Sequence, residues 1–213
     1  MQPAPIRAVL FDFGGVITSS PFEAFRRFEQ ERGLPTGFLQ SINRNQPDSN
    51  AWARFERGEL SAESFDELFA SESREAGHEV RGLDVVALVY GAVRPRMVEA
   101  VKRCRSKFIT ACLTNNFQSN SASPGPAKAR QWQSALELFD EVIESSRVGV
   151  RKPEKAFFDL ACDKLSITPE QAVFLDDLGA NLKPARAMGM HTIKVVDPDI
   201  ALAELAEVLQ IEL

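Results

Sequence analysis

The chain has few cysteines, and the three that it has form no recognisable pattern. Cys104, Cys112 and Cys162 are widely spaced and odd in number, and no two of them make a Cys-x-x-Cys pair. Such a set argues against a disulfide framework and against a cysteine-based metal site. We therefore expect reduced, mostly buried thiols, as in a cytoplasmic protein.

Long hydrophobic runs and an excess of basic residues are also missing. An apolar run such as Val85–Val89 is far shorter than the roughly 20 residues that cross a bilayer. Near the N-terminus, Asp12 and the pair Gly14-Gly15 interrupt any apolar signal core. With 25 basic against 30 acidic side chains, the net charge is −5, which does not suit a nucleic-acid surface. We expect a cytoplasmic protein that binds neither membranes nor nucleic acids.

The composition is that of a globular protein with a substantial core. Of the 213 residues, 44% are hydrophobic and 26% are charged. Short apolar strand patterns recur along the chain, and in its second half they alternate with helical patterns. This alternation indicates right-handed βαβ units and one parallel sheet. The predicted strands are Ile6–Phe11, Phe108–Leu113, Glu141–Glu144, Ala172–Leu175 and His191–Val196.

Residues 19–94 show helical spacing without strand-like alternation. Helices are predicted at Pro21–Gly33, Asp48–Arg57 and Ser61–Ala76, the last with Ser61 as its cap. We therefore predict a helical cap at residues 19–94, inserted into an α/β core made of residues 1–18 and 95–213. Residues 118–128 hold serine, proline and glycine, and they are predicted to form a surface loop.

Acidic residues follow two of the predicted strands at the point where each strand ends. Asp12 follows the first strand, and the pair Asp176-Asp177 follows the fourth. The carboxyl ends of parallel strands meet at one edge of a sheet, where small ligands bind. Three carboxylates gathered there repel one another unless a cation lies between them, and an oxygen-rich cluster suits Mg²⁺. The structural alternative is that each acid is only a turn or capping residue.

Four short motifs occur in a fixed order along the chain. They are Asp12, Thr114-Asn115, Lys152-Pro153 and Asp176-Asp177. This order resembles the haloacid dehalogenase superfamily, in particular its phosphatases with a helical cap inserted after the first motif. The last third, with the stretch FLDDLGANLKPAR from Phe174 to Arg186, is also similar to the phosphatase domains of the bifunctional soluble epoxide hydrolases and of acyl-CoA dehydrogenase family member ten. The resemblance implies a Rossmann-like fold and a Mg²⁺-dependent hydrolase of a small phosphorylated molecule.

The resemblance also implies a role for each acidic and basic motif residue. Asp12 is the nucleophile that forms an aspartyl-phosphate, and Lys152 adds positive charge and keeps Asp12 ionised. Mg²⁺ would bind Asp12, Asp177 and the backbone carbonyl of Gly14. Asp176 would lie behind these ligands and support either a metal-bound water or Lys152.

Three polar residues are implied in binding or orienting the substrate. The hydroxyl of Thr114 and the amide of Asn115 would donate hydrogen bonds to phosphate oxygens. Asn181 lies in a helix whose N-terminus would face the same anionic site, and it would orient nearby loops or the metal ligands. The alternatives are a polar turn at Thr114–Asn116, a solvated Arg151-Lys152 pair and a helix cap at Asn181.

One position departs from the pattern of the orthodox phosphatases. They carry a second aspartate two residues after the nucleophile, which protonates the leaving alcohol and later activates water; here that position is Gly14. Three interpretations stay open: a slow or specialised phosphatase, an enzyme restricted to good leaving groups, or a phosphate-binding relative with little activity. Haloacid dehalogenases also lack this aspartate and need no metal, but Asp176-Asp177 would repel their carboxylate substrates. Substrate identity and oligomeric state, a homodimer included, also stay open.

Overall fold

A parallel five-stranded sheet lies at the centre of the fold. The structure is a computed structural model, and it describes residues 4–117 and 125–213. The strands lie in the spatial order β3-β2-β1-β4-β5, and every neighbouring pair is parallel. The predicted α/β, Rossmann-like fold class is confirmed. The strands are β1 (Ala8–Phe11), β2 (Ile109–Thr114), β3 (Glu141–Glu144), β4 (Ala172–Asp176) and β5 (His191–Lys194).

Helices fill the connections between the strands. Between β1 and β2 these are α1 (Phe22–Glu31), α2 (Phe38–Arg44), α3 (Ala51–Glu56), α4 (Ala62–Glu75), α5 (Gly82–Val86) and α6 (Pro95–Arg105). After β2 they are α7 (Pro126–Leu136), α8 (Ser145–Val148), α9 (Lys155–Leu165), α10 (Gly179–Met188) and α11 (Pro198–Leu209). Across the described ranges, no helix has the length and apolarity needed to span a bilayer.

The central strand β1 is completely buried and contributes side chains to two hydrophobic layers. Alternate side chains of a strand point to opposite faces, so Val9 and Phe11 pack with residues of α6 and α11 on one side. Ala8 and Leu10 pack with residues of α9 and α10 on the other side. Burial on both faces explains why β1 and β4 read as continuous apolar runs and not as alternating ones.

The register of the sheet brings the motif residues to one edge. Phe11, the last residue of β1, pairs with Cys112 of β2 and with Leu175 of β4. Asp12 follows directly, and its backbone N–H donates to the carbonyl of Leu175 at 2.8 Å. The carboxyl ends of β1, β2 and β4 therefore lie side by side, as the sequence predicts.

Helices α1–α5 have a hydrophobic cluster of their own, built around phenylalanines such as Phe55, Phe65 and Phe69. The chain enters and leaves this segment through two connecting stretches that lie side by side and are joined by backbone hydrogen bonds. Ser19 donates to Ala92 and Arg94 donates to Ile17, both at 2.8 Å. Residues 19–94 thus form a helical segment. That this helical segment is a separate cap domain, beside a core of residues 1–18 and 95–213, stays a prediction.

The structure differs from the predicted elements mainly at short helices. The predicted helix Asp48–Arg57 is only Ala51–Glu56, because the side chain of Asn50 caps it by accepting from Ala53 N–H at 2.8 Å. Most of the predicted loop 118–128 lies outside the described residues, but Pro126 begins α7 instead of continuing a loop. The sequence patterns did not predict four helices: α2, α5, α7 and α8.

The three cysteines are free and buried. Burial raises the pKa of the Cys104 thiol to about 12 and that of Cys162 to about 11. Such thiols are protonated at neutral pH and are poor nucleophiles. The expectation of buried thiols is confirmed, and their reduced state stays a prediction.

Candidate active site

Asp12 stands at the end of β1, at the start of a tight turn over Phe13–Ile17. Its Oδ1 accepts from the backbone N–H of Phe13 at 2.7 Å, which fixes the carboxylate at the edge of the sheet. Two glycines follow in this turn. Gly15 has φ 78°, a left-handed conformation that favours glycine, and a Cβ there would lie 2.2 Å from Oδ2 of Asp177. The turn therefore needs glycine at position 15 in order to pass close to Asp177.

Lys152 joins two of the predicted acidic residues. Its side chain is 1% exposed, and Nζ lies 2.8 Å from Oδ1 of Asp12 and 2.8 Å from Oδ2 of Asp176. A buried ammonium is costly unless carboxylates neutralise it. Burial by itself lowers the pKa of Lys152, but Asp12 and Asp176 outweigh it and raise the pKa above its ordinary value. The solvated Arg151-Lys152 pair considered as an alternative is wrong for the lysine, since the ammonium is buried and charged.

Asp176 is completely buried and its oxygens are engaged by donors from its own loop. Oδ1 accepts from Leu178 N–H at 2.8 Å, and the Asn181 amide reaches Oδ1 and Oδ2 at 3.1 and 3.0 Å. Lys152 binds the same carboxylate. Asp176 thus holds the lysine and the start of α10, which matches the supporting position that the resemblance implies.

Asn181 is predicted as a substrate-binding or orienting residue. The structure places its amide on Asp176, so it orients that carboxylate. The alternative that Asn181 caps the helix is wrong, because α10 begins at Gly179 after an N-cap at Leu178. Direct contact of Asn181 with a substrate stays a prediction.

Asp12, Asp176 and Asp177 together form a cluster of carboxylate oxygens. One oxygen of each lies within 4.8 Å of those of the other two. Burial, followed by the charge of Asp176, raises the pKa of Asp177 to about 6. Burial also raises the pKa of Asp12, although Lys152 opposes the shift. One ammonium lies among three acids here, and burial together with repulsion between the carboxylates raises both pKa values.

This donor set fits a hard divalent cation. All three side chains offer oxygen, which Mg²⁺ prefers. A bound cation would offset both the burial and the mutual repulsion of these carboxylates. Both oxygens of Asp176 already accept hydrogen bonds, so Asp12 and Asp177 are the better candidates for direct ligands. The carbonyl of Gly14, in the turn that follows Asp12, stays a predicted third ligand.

Thr114 and Asn115 end β2 next to the acids. Thr114 is the last residue of the strand and is buried. The side chain of Asn115 binds the backbone of Lys152 instead of pointing away from the protein: Nδ2 donates to the Lys152 carbonyl and Oδ1 accepts from its N–H, both at 2.9 Å. The side chain of Asn115 thus holds the backbone of Lys152, and a contact of the Asn115 amide with a phosphate stays a prediction.

Sequence reasoning missed three residues next to this site. Arg94 donates to the carbonyl of Gly15 at 2.7 Å, and its charge acts on Asp177 by lowering that carboxyl's pKa. Glu56 and Arg151 form a partly buried ion pair at 2.7 Å between α3 and the Lys152 loop. Arg94 directly precedes Pro95 at the start of a helix, which is a weak sequence signal for its position. Glu56 and Arg151 have no such signal in the sequence.

The geometry of the four motifs agrees with comparison to known families. Residues 6–189 match the family described as haloacid dehalogenase-like hydrolase. The chain belongs to the haloacid dehalogenase-like hydrolases. The resemblance in the sequence is thereby confirmed, and membership makes this chain a hydrolase.

Named relatives are similar over almost all of this hydrolase. It is 37% identical over 210 residues to acyl-CoA dehydrogenase family member 10 of Mus musculus, covering 95% of this chain and 19% of that protein. It is 33% identical over 220 residues to bifunctional epoxide hydrolase 2 of Sus scrofa, covering 98% and 40%. The chain thus spans about a fifth and two fifths of these relatives. A sesquiterpene phosphatase of Aspergillus oryzae is 23% identical over 95% of this chain and 96% of its own length.

Solved structures show the same fold. A HAD-like family hydrolase from Porphyromonas gingivalis superposes with a TM-score of 0.67 at 21% identity, over 98% of this chain and 100% of the other. A HAD family enzyme from Bacteroides thetaiotaomicron, in complex with magnesium and inorganic phosphate, superposes with a TM-score of 0.57 at 20% identity, over 89% and 93%. At these identities the likeness establishes the fold of this hydrolase.

Proposed function

We propose that the chain is a Mg²⁺-dependent phosphatase that hydrolyses a small phosphomonoester through an aspartyl-phosphate at Asp12. The observation that carries the proposal is the buried ammonium of Lys152, 2.8 Å from both Asp12 and Asp176, with Asp177 in the same oxygen cluster. The ammonium beside Asp12 favours the ionised form of this nucleophile against the effect of burial, and the three acids still have a deficit of positive charge. Attack on a phosphate requires an ionised carboxylate, and a bound metal ion would supply the missing positive charge.

The metal would be held by Asp12, Asp177 and the backbone carbonyl of Gly14. When bound, Mg²⁺ supplies positive charge that screens the repulsion between a phosphate and the carboxylates. The magnesium and phosphate bound by the structural neighbour from Bacteroides thetaiotaomicron support this choice. Activity should therefore require added Mg²⁺ and should be lost with a chelator.

The chain's own residues would carry the two steps. A carboxylate oxygen of Asp12 attacks phosphorus while the ester P–O bond breaks, and the leaving oxygen takes a proton from water. Water then attacks the aspartyl-phosphate, which releases inorganic phosphate and restores Asp12. Lys152 keeps Asp12 ionised, and the Thr114 hydroxyl and the Asn115 backbone amide would stabilise charge on the phosphate oxygens.

Gly14 shapes the expected specificity. Glycine cannot protonate a leaving alcohol, and general acid catalysis contributes roughly 10²–10⁴-fold to rate. Aryl and acyl phosphates should therefore be better substrates than alkyl phosphates, because their leaving groups depart with less help. The similarity to a sesquiterpene phosphatase supports a phosphate ester as substrate. The free, buried thiols fit a cytoplasmic setting.

The test is Mg²⁺-dependent release of phosphate from an aryl phosphate by wild type and by Asp12→Asn. Wild type should turn over and the variant should not, because an amide is a poor nucleophile. Equal background release by both proteins at high enzyme concentration would refute the phosphatase and favour the phosphate-binding alternative. Halide release from a 2-haloacid without metal would instead favour the dehalogenase, which the acidic cluster opposes.

A further inference from the structure

The loop that carries Lys152 is held by the helical segment as well as by the sheet. Nε of Arg151, directly before the lysine, lies 2.7 Å from Oε2 of Glu56 in α3. Two residues after the lysine, Glu154 pairs with Arg57 at 3.2 Å. The loop is thus attached to the end of α3 on both sides of Lys152.

Asn115 is a second connection between the Glu56 carboxylate and Lys152. Its side-chain amide holds both polar backbone groups of Lys152 at 2.9 Å, as a neighbouring strand would. Its Nδ2 is also 3.3 Å from Oε2 of Glu56. A single carboxylate oxygen of Glu56 therefore contacts the residue before Lys152 and the residue that clamps its backbone.

The carboxylate itself is firmly fixed. Glu56 is buried, its other oxygen accepts from Trp52 Nε1 at 2.9 Å, and its backbone carbonyl accepts from Ser145 Oγ at 2.6 Å. Gly58, just past the helix, approaches α8 so closely that a Cβ would lie 2.5 Å from the carbonyl oxygen of Ser146. The end of α3 thus has little freedom to shift against α8.

We propose that Glu56 is a positioning residue, which sets the Lys152 ammonium between Asp12 and Asp176 by holding Arg151 and Asn115. The seating of the helical segment on the sheet then controls the alignment of the catalytic lysine. Glu56 acts through these two residues, 2.7 and 3.3 Å away. The inference rests on the proposed phosphatase function.

The main test compares two glutamate-to-glutamine changes in the helical segment. Glu56→Gln puts an amide against the Arg151 and Asn115 donors, and we expect kcat to fall about 10- to 100-fold with KM nearly unchanged, since small misplacements have effects of this size. Glu29→Gln is the matched control. Glu29 is also buried, but it accepts from Gly37 and Leu39 N–H at 2.8 and 3.0 Å, inside the helical segment. It should lose thermal stability and keep kcat.

Two further variants separate positioning from a merely structural role. Glu56→Asp keeps the charge and should regain part of the lost kcat. Arg151→Met breaks the same contact from the other side, and the double variant with Glu56→Gln should lose no more than the larger single loss, because one network is removed once. If Glu56→Gln does not fold, the kcat of Arg151→Met is compared with that of Glu29→Gln instead.

The inference is overturned if Glu56→Gln and Glu29→Gln have equal kcat, if the double variant shows additive losses, or if Glu56→Asp is as slow as Glu56→Gln. A wild-type protein that releases no phosphate from an aryl phosphate would overturn the proposed function instead. Phosphate release by wild type together with full kcat in Glu56→Gln would overturn the positioning role alone.

Discussion

Replacing Gly14 with aspartate should make the chain a much faster phosphatase. Gly14 has φ −69° and ψ 128°, an extended conformation that any residue adopts, and a Cβ placed on it meets no atom within 4 Å. The site therefore has room for a side chain next to Asp12. The following glycine has no such room, because its Cβ would collide with Asp177.

The expected gain follows from what a general acid contributes. Proton donation to a leaving alcohol is worth roughly 10²–10⁴-fold, or about 3–5 kcal/mol of activation free energy. We expect kcat/KM on an alkyl phosphate to rise by about 100-fold, at the low end of that range because the new carboxyl enters a site with three acids. The gain on an aryl phosphate should be smaller, since a phenolate leaves without full protonation.

The assay is Mg²⁺-dependent phosphate release from a matched alkyl and aryl pair, with thermal melting to verify that each variant folds. Gly14→Asn is the control, because it fills the same space and cannot donate an acidic proton. Gly15→Asp should be destabilised and inactive. A folded Gly14→Asp with no gain on the alkyl phosphate, or an equal gain in Gly14→Asn, would refute the argument that only the acid is missing.

Two further predictions concern the charges of the site. Lys152→Met leaves Asp12 and Asp176 buried without their cation, so the free energy of unfolding in urea should fall by about 3–5 kcal/mol; an unchanged free energy would contradict the buried ion pairs. The pKa of Asp177 is raised to about 6 in the folded protein, so its stabilising contribution is present below the unfolded value near 4 and is lost as pH rises through 6. Without metal, this should cost at most about 3 kcal/mol of unfolding free energy. Asp177→Asn should flatten that dependence, and it should abolish the rise in melting temperature that we expect Mg²⁺ to cause in wild type at pH 7.5. An equal Mg²⁺ effect in both proteins would show that Asp177 is not a metal ligand.

The parts of the fold that sequence predicts well are those with a strong local signal. The bounds of β3 agree with the prediction, and Ser61 caps α4 by accepting from Ser64 N–H at 3.2 Å. Short helices such as α5 and α8 lack that signal, because four or five residues make too little of a periodic pattern. Their helical conformation depends on packing against other elements.

The candidate site divides in the same way. The order of motifs placed Asp12, Lys152 and the pair Asp176-Asp177 at one edge, because strand ends in a parallel sheet meet there. No such rule predicts which group each of these side chains binds. Asn181 binds a carboxylate that lies five residues before it, while Asn115 binds a lysine backbone 37 residues away.

The sequence by itself determined the fold class and the family, since strand patterns and motif order are properties of the chain. Only the tertiary structure decided that one ammonium lies between Asp12 and Asp176, and that Glu56 reaches it from α3 through Arg151, 95 residues away. Contacts between distant segments depend on how helices and sheet pack, and no local pattern records them. At Gly14 both contribute: the sequence shows that the acid is missing, and the structure shows open space around a Cβ at that position.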